Sequence, residues 1–146
     1  MDFQNSGPTG TFTISRVVAA PIERVWAAYV DPDQFVQFWA PEGVEIPRDS
    51  VVIEPFVGGR FECTMIVDGV AQPNEGTFVE FVEQEHFRFG EPAEGDGFSS
   101  VMSFAAVDGG TRIDVEQRGI PLQFHDAATV GFTSVFDQLE RLLAAD

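Results

Sequence analysis

The chain has 146 residues, of which 44% are hydrophobic and 22% charged, a composition typical of one globular domain rather than of a disordered chain. Its formal net charge at pH 7 is −16, and all eight basic residues are arginines, which argues against a nucleic acid or an anionic membrane as a partner. The single cysteine, Cys63, cannot form an internal disulfide, and neither a signal peptide nor a membrane span is recognisable. We therefore expect one cytoplasmic domain over residues 11–146, preceded by a flexible tail over residues 1–10.

The first predicted elements are a strand and two short helices. Residues 11–19 alternate between apolar and polar side chains, which is typical of a half-buried strand. Pro21 suits the first turn of a helix, where its missing N–H costs nothing, and the Asp31-Pro32 pair ends that helix. A second short helix is predicted over residues 33–39.

Strand candidates then follow one another as far as residue 118. They are residues 50–56, 60–67, 75–84, 86–91, 98–107 and 111–118. Glycine-containing turns are predicted at Asp68-Gly69 and at residues 108–110. Because the last strand carries polar side chains on one face, we expect one side of the sheet to be exposed to solvent.

The final segment predicts a long amphipathic helix over residues 124–145. It lacks proline, and its apolar side chains share one helical face at Ala128, Phe132, Val135, Leu139 and Leu142. A helix of this length spans roughly 30 Å, which is enough to cross a sheet. Packing of the two apolar faces therefore predicts an α+β domain, in which a curved antiparallel sheet of about six to seven strands is wrapped around the terminal helix.

Five segments carry a resemblance to a known family. With "AAPIERVWAAYVDPDQFVQFWAPEG", "VGGRFECTMIVDG", "EGTFVEFVEQEHFRF", "GGTRIDVEQRG" and "GFTSVFDQLERLL" in this order, the chain resembles the bacterial branch of the activator-of-Hsp90-ATPase family, within the START and Bet v 1-like (SRPBCC) superfamily. The similarity extends over residues 12–143. It implies a helix-grip fold, in which apolar small molecules are held between the sheet and the long helix. Relatives include lipid carriers, hormone receptors, polyketide cyclases and co-chaperone domains.

The candidate ligand-binding residues come from the inward rows of the strands and from one face of the long helix. On the strands they are Cys63, Met65, Ser100, Met102, Phe104, Val115 and Gln117, and on the helix they are Ala128, Gly131, Phe132 and Val135. Ser100 and Gln117 are the polar members of apolar rows, and they either orient a ligand or are satisfied by water or backbone. A filled core has the same phenylalanine-rich and methionine-rich composition, so both alternatives stay open.

The "FWAPEG" stretch, residues 38–43, supplies two further candidates. By the resemblance, Phe38 and Trp39 lie near the mouth of the cavity, where they gate it or contact a ligand ring; alternatively, they fill the gap between sheet and helix. Many relatives have Gly-Trp where this chain has Gly131-Phe132, so any ligand contact made through that indole N–H is absent here.

Three functions are compatible with these residues. The first is binding of a small apolar molecule, with Tyr29, Ser100 and Gln117 orienting it. The second is a cyclase or hydrolase acting on a small aromatic or polyketide-like substrate, with His125 or Tyr29 moving a proton; alternatively, His125 is a capping or surface residue. The third is interaction with a chaperone or another protein, and the strand edges could also support a homodimer. We expect no cofactor and no metal, because two distant histidines and one cysteine lack the spacing of a metal site.

Overall fold

The computed structural model describes residues 8–92, 94–95 and 97–145, so residues 1–7 of the predicted tail lie outside the described part of the chain. The first strand begins at Thr9, two residues before the sequence prediction. In chain order the elements are β1 (Thr9–Val18), α1 (Ile22–Val30), α2 (Pro32–Phe35), β2 (Val52–Ile53), β3 (Phe61–Val67), β4 (Val70–Asn74), β5 (Phe78–Val82), β6 (His86–Gly90), β7 (Ser99–Val107), β8 (Gly110–Pro121) and α3 (His125–Ala144).

The described strands form two antiparallel sheets. Five strands pair in the order β1-β8-β7-β6-β5, and three pair in the order β2-β3-β4. The two sheets meet just before β3, where Arg60 and Thr77 form an isolated bridge and the Phe61 N–H donates to the Gly76 carbonyl at 2.9 Å. The predicted single sheet of about six to seven strands is therefore, in this structure, eight strands in two linked sheets.

β4 is the element that the sequence prediction lacks. All of its residues are exposed and it contains Pro73, so it shows neither apolar alternation nor strand propensity. The turn before it is the predicted one: Asp68 (φ 51°) and Gly69 (φ 80°) both have positive φ angles, as a two-residue hairpin turn requires.

The two short helices follow β1, as predicted. α2 begins at Pro32 rather than at residue 33, because Asp31 caps it by accepting a hydrogen bond from the Asp33 N–H at 3.0 Å. It ends at Phe35 rather than at Trp39, and residues 36–39 continue as turns. Within this segment Phe38 is buried and Trp39 is half-buried.

α3 packs against the apolar inner face of the sheet, and an ion-pair cluster ties it to the edge strand β1. Arg16 of β1 reaches Asp137 at 3.2 Å and Glu140 at 2.8 Å, and its guanidinium carbon lies 5.4 Å from the centre of the Phe136 ring. An α+β helix-grip fold is therefore confirmed. None of the described helices is both long enough and apolar enough to cross a membrane.

One end of the space between sheet and helix is filled by large side chains. We call it the packed region, and it consists of Trp26, Tyr29, Phe38, Phe78, Phe87, Phe104, Phe136 and Leu139, all of which are buried. The rings meet edge to face, with centroids 5.2 Å apart for Trp26 and Phe104 and 5.1 Å apart for Tyr29 and Phe104. The opposite end of this space is not filled by side chains and forms a cavity.

Candidate functional site

A cavity of about 1040 Å³ lies between the two sheets, the segment after α2 and the first half of α3. Most of its wall is apolar. Its lining consists of Phe35, Trp39, Pro41, Phe61, Glu62, Cys63, Met65, Pro73, Asn74, Glu75, Gly76, Thr77, Phe89, Gly90, Phe98, Met102, Gln117, Ile120, Phe124, Ala127, Ala128, Gly131, Phe132 and Val135.

Strand β3 supplies one wall through every second residue. Phe61, Cys63 and Met65 alternate with polar neighbours, so all three point to the same face of the strand and line the cavity. The Cys63 side chain is 6% exposed, and burial raises the pKa of its thiol to about 11. At neutral pH the thiol is therefore protonated, and Cys63 contributes apolar surface rather than a nucleophile.

The "FWAPEG" segment divides its two rings between the packed region and the cavity. Phe38 is fully buried in the packed region, with its ring centroid 4.9 Å from that of Tyr29. Trp39 lines the cavity, where it stacks on Phe35 at 4.7 Å and meets the edge of Phe61 at 5.4 Å. Of the two predicted roles, gap filling describes Phe38 and a place in the cavity wall describes Trp39.

The turn after Trp39 is hydrogen-bonded to α3. The Glu42 N–H donates to the Ser134 hydroxyl at 2.8 Å, and the Gln138 amide donates to the Ala40 carbonyl at 2.7 Å. These bonds hold Pro41 as part of the cavity wall. The turn at Pro41 and Gly43 thus follows the end of α2 at Phe35 and is hydrogen-bonded to α3.

The part of α3 that lines the cavity carries small side chains. Ala127, Ala128 and Gly131 all belong to the lining, whereas the next turns of the helix carry Phe136 and Leu139. A Cβ atom on Gly131 would lie 3.5 Å from the Cγ atom of Pro41, which is an ordinary contact distance. The glycine therefore leaves room at the wall without being required by backbone strain.

The two polar residues of the inward rows pair with each other. Ser100 and Gln117 face each other in the β7–β8 register, and the Gln117 amide N–H donates to the Ser100 hydroxyl at 3.2 Å. Gln117 lines the cavity, whereas Ser100 is buried behind it. Within the described residues, no hydrogen bond to the side-chain carbonyl of Gln117 is found.

Charged residues surround the part of the rim formed by β3 and the segment after β4. Arg60 forms a bidentate pair with Glu62, with N–O distances of 2.8 and 3.1 Å. The hydrogen bond from Arg60 lowers the pKa of the Glu62 carboxyl, which therefore stays ionised at neutral pH. Glu62 and Glu75 line the cavity, and Glu75 is exposed.

The predicted ligand-binding residues separate into two groups. Those that the structure brings together around the cavity are Trp39, Cys63, Met65, Met102, Gln117, Ala128, Gly131, Phe132 and Val135. Those that it places outside the lining are Tyr29, Phe38, Ser100, Phe104 and Val115, all of them buried. Strand alternation places a residue on the inner face, but it does not tell which end of that face is filled.

The two predicted proton-transfer candidates both lie outside the lining. Tyr29 is 1% exposed, its hydroxyl has no hydrogen-bond partner among the described residues, and burial raises its pKa well above the ordinary tyrosine value. His125 begins α3, and its Nε2 atom lies 3.0 Å from the Ile120 carbonyl oxygen, to which it donates. In the described ranges, no group of three or more His, Cys, Asp or Glu side chains is arranged to hold a metal ion.

The sequence prediction missed a substantial part of the lining. Phe61 has the same strand parity as Cys63 and Met65, so alternation alone could have identified it. Phe35 precedes Trp39 by four residues, a spacing that indicates a shared helical face. Residues 73–77 carry no comparable signal, because β4 is exposed and irregular in sequence.

A curved antiparallel sheet around a long C-terminal helix, with a cavity between them, defines the helix-grip class of domains. Within this class, the family model described as "Activator of Hsp90 ATPase homolog 1-like protein" matches residues 19–144. The chain belongs to this family.

Solved bacterial structures share the fold over nearly the whole chain. A protein from Chromobacterium violaceum has 25% identity and a TM-score of 0.80, with 94% of this chain and 99% of that chain covered. A protein from Mycobacterium smegmatis has 24% identity and a TM-score of 0.75, with 99% and 94% covered. An AHSA1-like protein from Aeromonas hydrophila has 22% identity and a TM-score of 0.74, with 92% of each chain covered. No curated protein sequence matches the chain.

Proposed function

We propose that the protein binds a small apolar molecule in the cavity between the two sheets and α3. The observation that carries this proposal is an apolar space of about 1040 Å³ in a domain whose packed region is filled. Typical ligand pockets have volumes of roughly 300–1,000 Å³ and apolar walls with a few polar groups. The cavity fits that description in size and in composition.

Affinity comes from burial of apolar surface. At about 25 cal/mol per Å², a ligand that buries about 300 Å² of apolar surface gains about 7.5 kcal/mol before the costs of association are subtracted. Phe61 and Met65, both half-buried, supply this surface from β3, and Phe132 supplies it from α3. The flexible methionine side chains adapt to the shape of the ligand.

Orientation comes from Gln117. Its amide N–H is held by Ser100, which fixes the side chain and leaves the carbonyl oxygen as an acceptor on the cavity wall. A ligand hydroxyl or N–H group that donates to this oxygen is bound in one orientation. A ligand without such a donor leaves the carbonyl unpaired and binds less tightly.

Turnover has no comparable support among the described residues. A cyclase or hydrolase needs a proton-transfer group within reach of the substrate, and both candidates lie outside the lining. The Tyr29 phenol is buried in the packed region, and the Nε2 atom of His125 is engaged by a backbone carbonyl. Binding is therefore the function proposed.

Native mass spectrometry of the gently purified protein tests this proposal. We expect a small molecule to be present in the native spectrum and to be released on denaturation. Met102→Arg places a charge in the cavity wall and abolishes its retention, whereas Met102→Leu, a volume-conserving change, retains it.

Because Met102 is fully buried, a second variant is Met65→Arg, which changes a half-buried position of the same wall. Circular dichroism establishes that each variant is folded. Retention of the same molecule by a folded Met65→Arg or Met102→Arg protein would contradict the assignment of this cavity.

A further inference from the structure

The charge of the cavity lining has one sign. Among the described lining residues, the side chains that are charged at neutral pH are Glu62 and Glu75, and none is an arginine or a histidine. The chain contains eight arginines, but none of them belongs to the described lining, and the lining is therefore negatively charged. A carboxylate or a sulfate group on a ligand would therefore meet no cation in the wall.

The nearest arginine is already surrounded by carboxylates. Arg60 pairs with Glu62 at 2.8 Å, and its backbone N–H donates to the Glu54 carboxylate, also at 2.8 Å. The negative charges of Glu54 and Glu75 also act on its guanidinium and help to raise its pKa. Three carboxylates thus face one guanidinium, and this acidic rim, formed by Glu54, Arg60, Glu62 and Glu75, has a net negative charge.

Aromatic rings make up most of the large side chains of the lining. They are Phe35, Trp39, Phe61, Phe89, Phe98, Phe124 and Phe132. Ring faces carry partial negative charge, so they attract cations as well as the edges of other rings. The wall therefore favours a flat aromatic ligand, and its electrostatics add to those of the acidic rim.

We infer that the cavity selects an aromatic molecule that carries an amine or another cationic donor group, and that it rejects carboxylates of the same shape. The inference rests on the proposed function, since it names the ligand class of the same cavity. An ammonium group near the rim gains from Glu75, whereas an anion is desolvated without a counter-charge. The net charge of −16 also accelerates the approach of cations.

Three probes with one ring system test the inference. Pyrenemethylamine, pyrenemethanol and pyrenecarboxylic acid differ in charge and share the fluorophore, so their dissociation constants can be compared directly by fluorescence titration. At low ionic strength we expect the amine to bind at least about tenfold more tightly than the acid, with the alcohol between them. Added salt reduces the difference, because the rim is exposed.

The outcomes separate this inference from the proposed function. If the acid binds as tightly as the amine, the cavity binds ligands without the selectivity inferred here. If none of the three probes binds, the proposed function itself is contradicted.

A matched pair of variants locates the selectivity. Glu75→Gln removes the exposed carboxylate of the lining, and we expect the ratio of amine to acid affinity to fall about two- to fivefold, with little change for the alcohol. Glu83→Gln removes the same charge from the exposed β5–β6 turn, outside the lining, and leaves the ratio close to that of the wild type. An equal fall in both variants would assign the effect to net charge and overturn the role of the rim.

Discussion

The packed region and the cavity both lie along α3 and both have aromatic walls, yet only the packed region is filled by side chains. Phenylalanines from the strands face both spaces. What differs is α3, which presents Phe136 and Leu139 to the packed region, whereas its part of the cavity lining combines Phe132 and Val135 with the small residues Ala127, Ala128 and Gly131. Small side chains at three of its positions on α3, rather than fewer aromatic residues on the strands, therefore distinguish the cavity from the packed region.

The segment after α2 lies on the boundary between the two regions. Phe38 belongs to the packed region and Trp39 to the cavity wall, although they are adjacent in sequence. The turn that follows is anchored to α3 through Ser134 and Gln138. Of the two large rings before this turn, Phe38 therefore helps to fill the packed region and Trp39 lines the cavity.

The largest expected effect is a loss of stability in the packed region. Phe87 is 1% exposed and is surrounded by other rings, so Phe87→Ala should lower the free energy of unfolding by about 3–5 kcal/mol. Phe132→Ala is the matched change at the cavity. Because Phe132 is half-buried and already borders empty space, we expect its cost to be at least about 1 kcal/mol smaller. Urea denaturation measures both, and equal costs would remove the distinction between the two regions.

The next effect is on binding. Ala128→Leu fills part of the cavity, so we expect the affinity for pyrenemethanol to fall at least about tenfold, or about 1.4 kcal/mol. Thr133→Leu places the same side chain on the exposed side of α3 and leaves binding unchanged. Fluorescence titration provides the comparison. Unchanged affinity in a folded Ala128→Leu protein would show that the probe binds elsewhere.

A moderate gain of stability is expected at Tyr29, the only tyrosine of the chain. Its hydroxyl is buried without a partner in the described structure, so Tyr29→Phe should raise the free energy of unfolding by about 1–2 kcal/mol at pH 7. Urea denaturation at pH 7 measures the gain. A loss of stability would mean that the hydroxyl makes a hydrogen bond in solution.

The buried Tyr29 phenol should also make the protein less stable at alkaline pH. Because burial raises the Tyr29 pKa in the folded protein, the unfolded chain ionises first, and stability falls above its ordinary pKa of about 10 by at most about 1.4 kcal/mol per pH unit. Tyr29→Phe lacks this loss. Cys63, whose pKa rises to about 11, causes a similar decline from about pH 9 in both proteins, so the difference between them isolates the phenol.

The smallest effect is a gain in helix stability at the cavity wall. Gly131→Ala replaces a poor helix former, and its Cβ atom would meet Pro41 only at 3.5 Å, so we expect a gain of about 0.5–1 kcal/mol. Gly69→Ala is the control, because a φ angle of 80° makes the same change unfavourable there. Thermal unfolding measures both. A destabilised Gly131→Ala protein would indicate that the helix and the turn at Pro41 are packed too closely for a methyl group.

The sequence predicts those elements of the fold that bury one side, because their apolar residues then recur at a regular spacing. Alternation locates β1, β3, β7 and β8, and the period of α3 identifies its apolar face, because each of these elements has one buried side. β4 has no buried side and contains Pro73, so no such pattern exists for it. The division of the strands into two sheets depends on which strands pair, which is a tertiary feature.

The cavity is less predictable than the fold. Alternation places Met102 and Phe104 in the same inward row of β7, and both are buried, yet Met102 also lines the cavity and Phe104 does not. Alternation alone does not distinguish the two positions. The pairing of Ser100 with Gln117 likewise requires the β7–β8 register, which a single strand does not encode.

The most direct test of the cavity as a binding site uses the methionine methyl groups. The chain has three methionines, of which Met65 and Met102 line the cavity and Met1 lies outside the described residues. In NMR spectra of protein with methyl-labelled methionine, assigned through Met65→Leu and Met102→Leu, we expect pyrenemethanol to shift the Met65 and Met102 resonances with one common dissociation constant. A probe that binds while both resonances stay unchanged at saturation would contradict binding in this cavity.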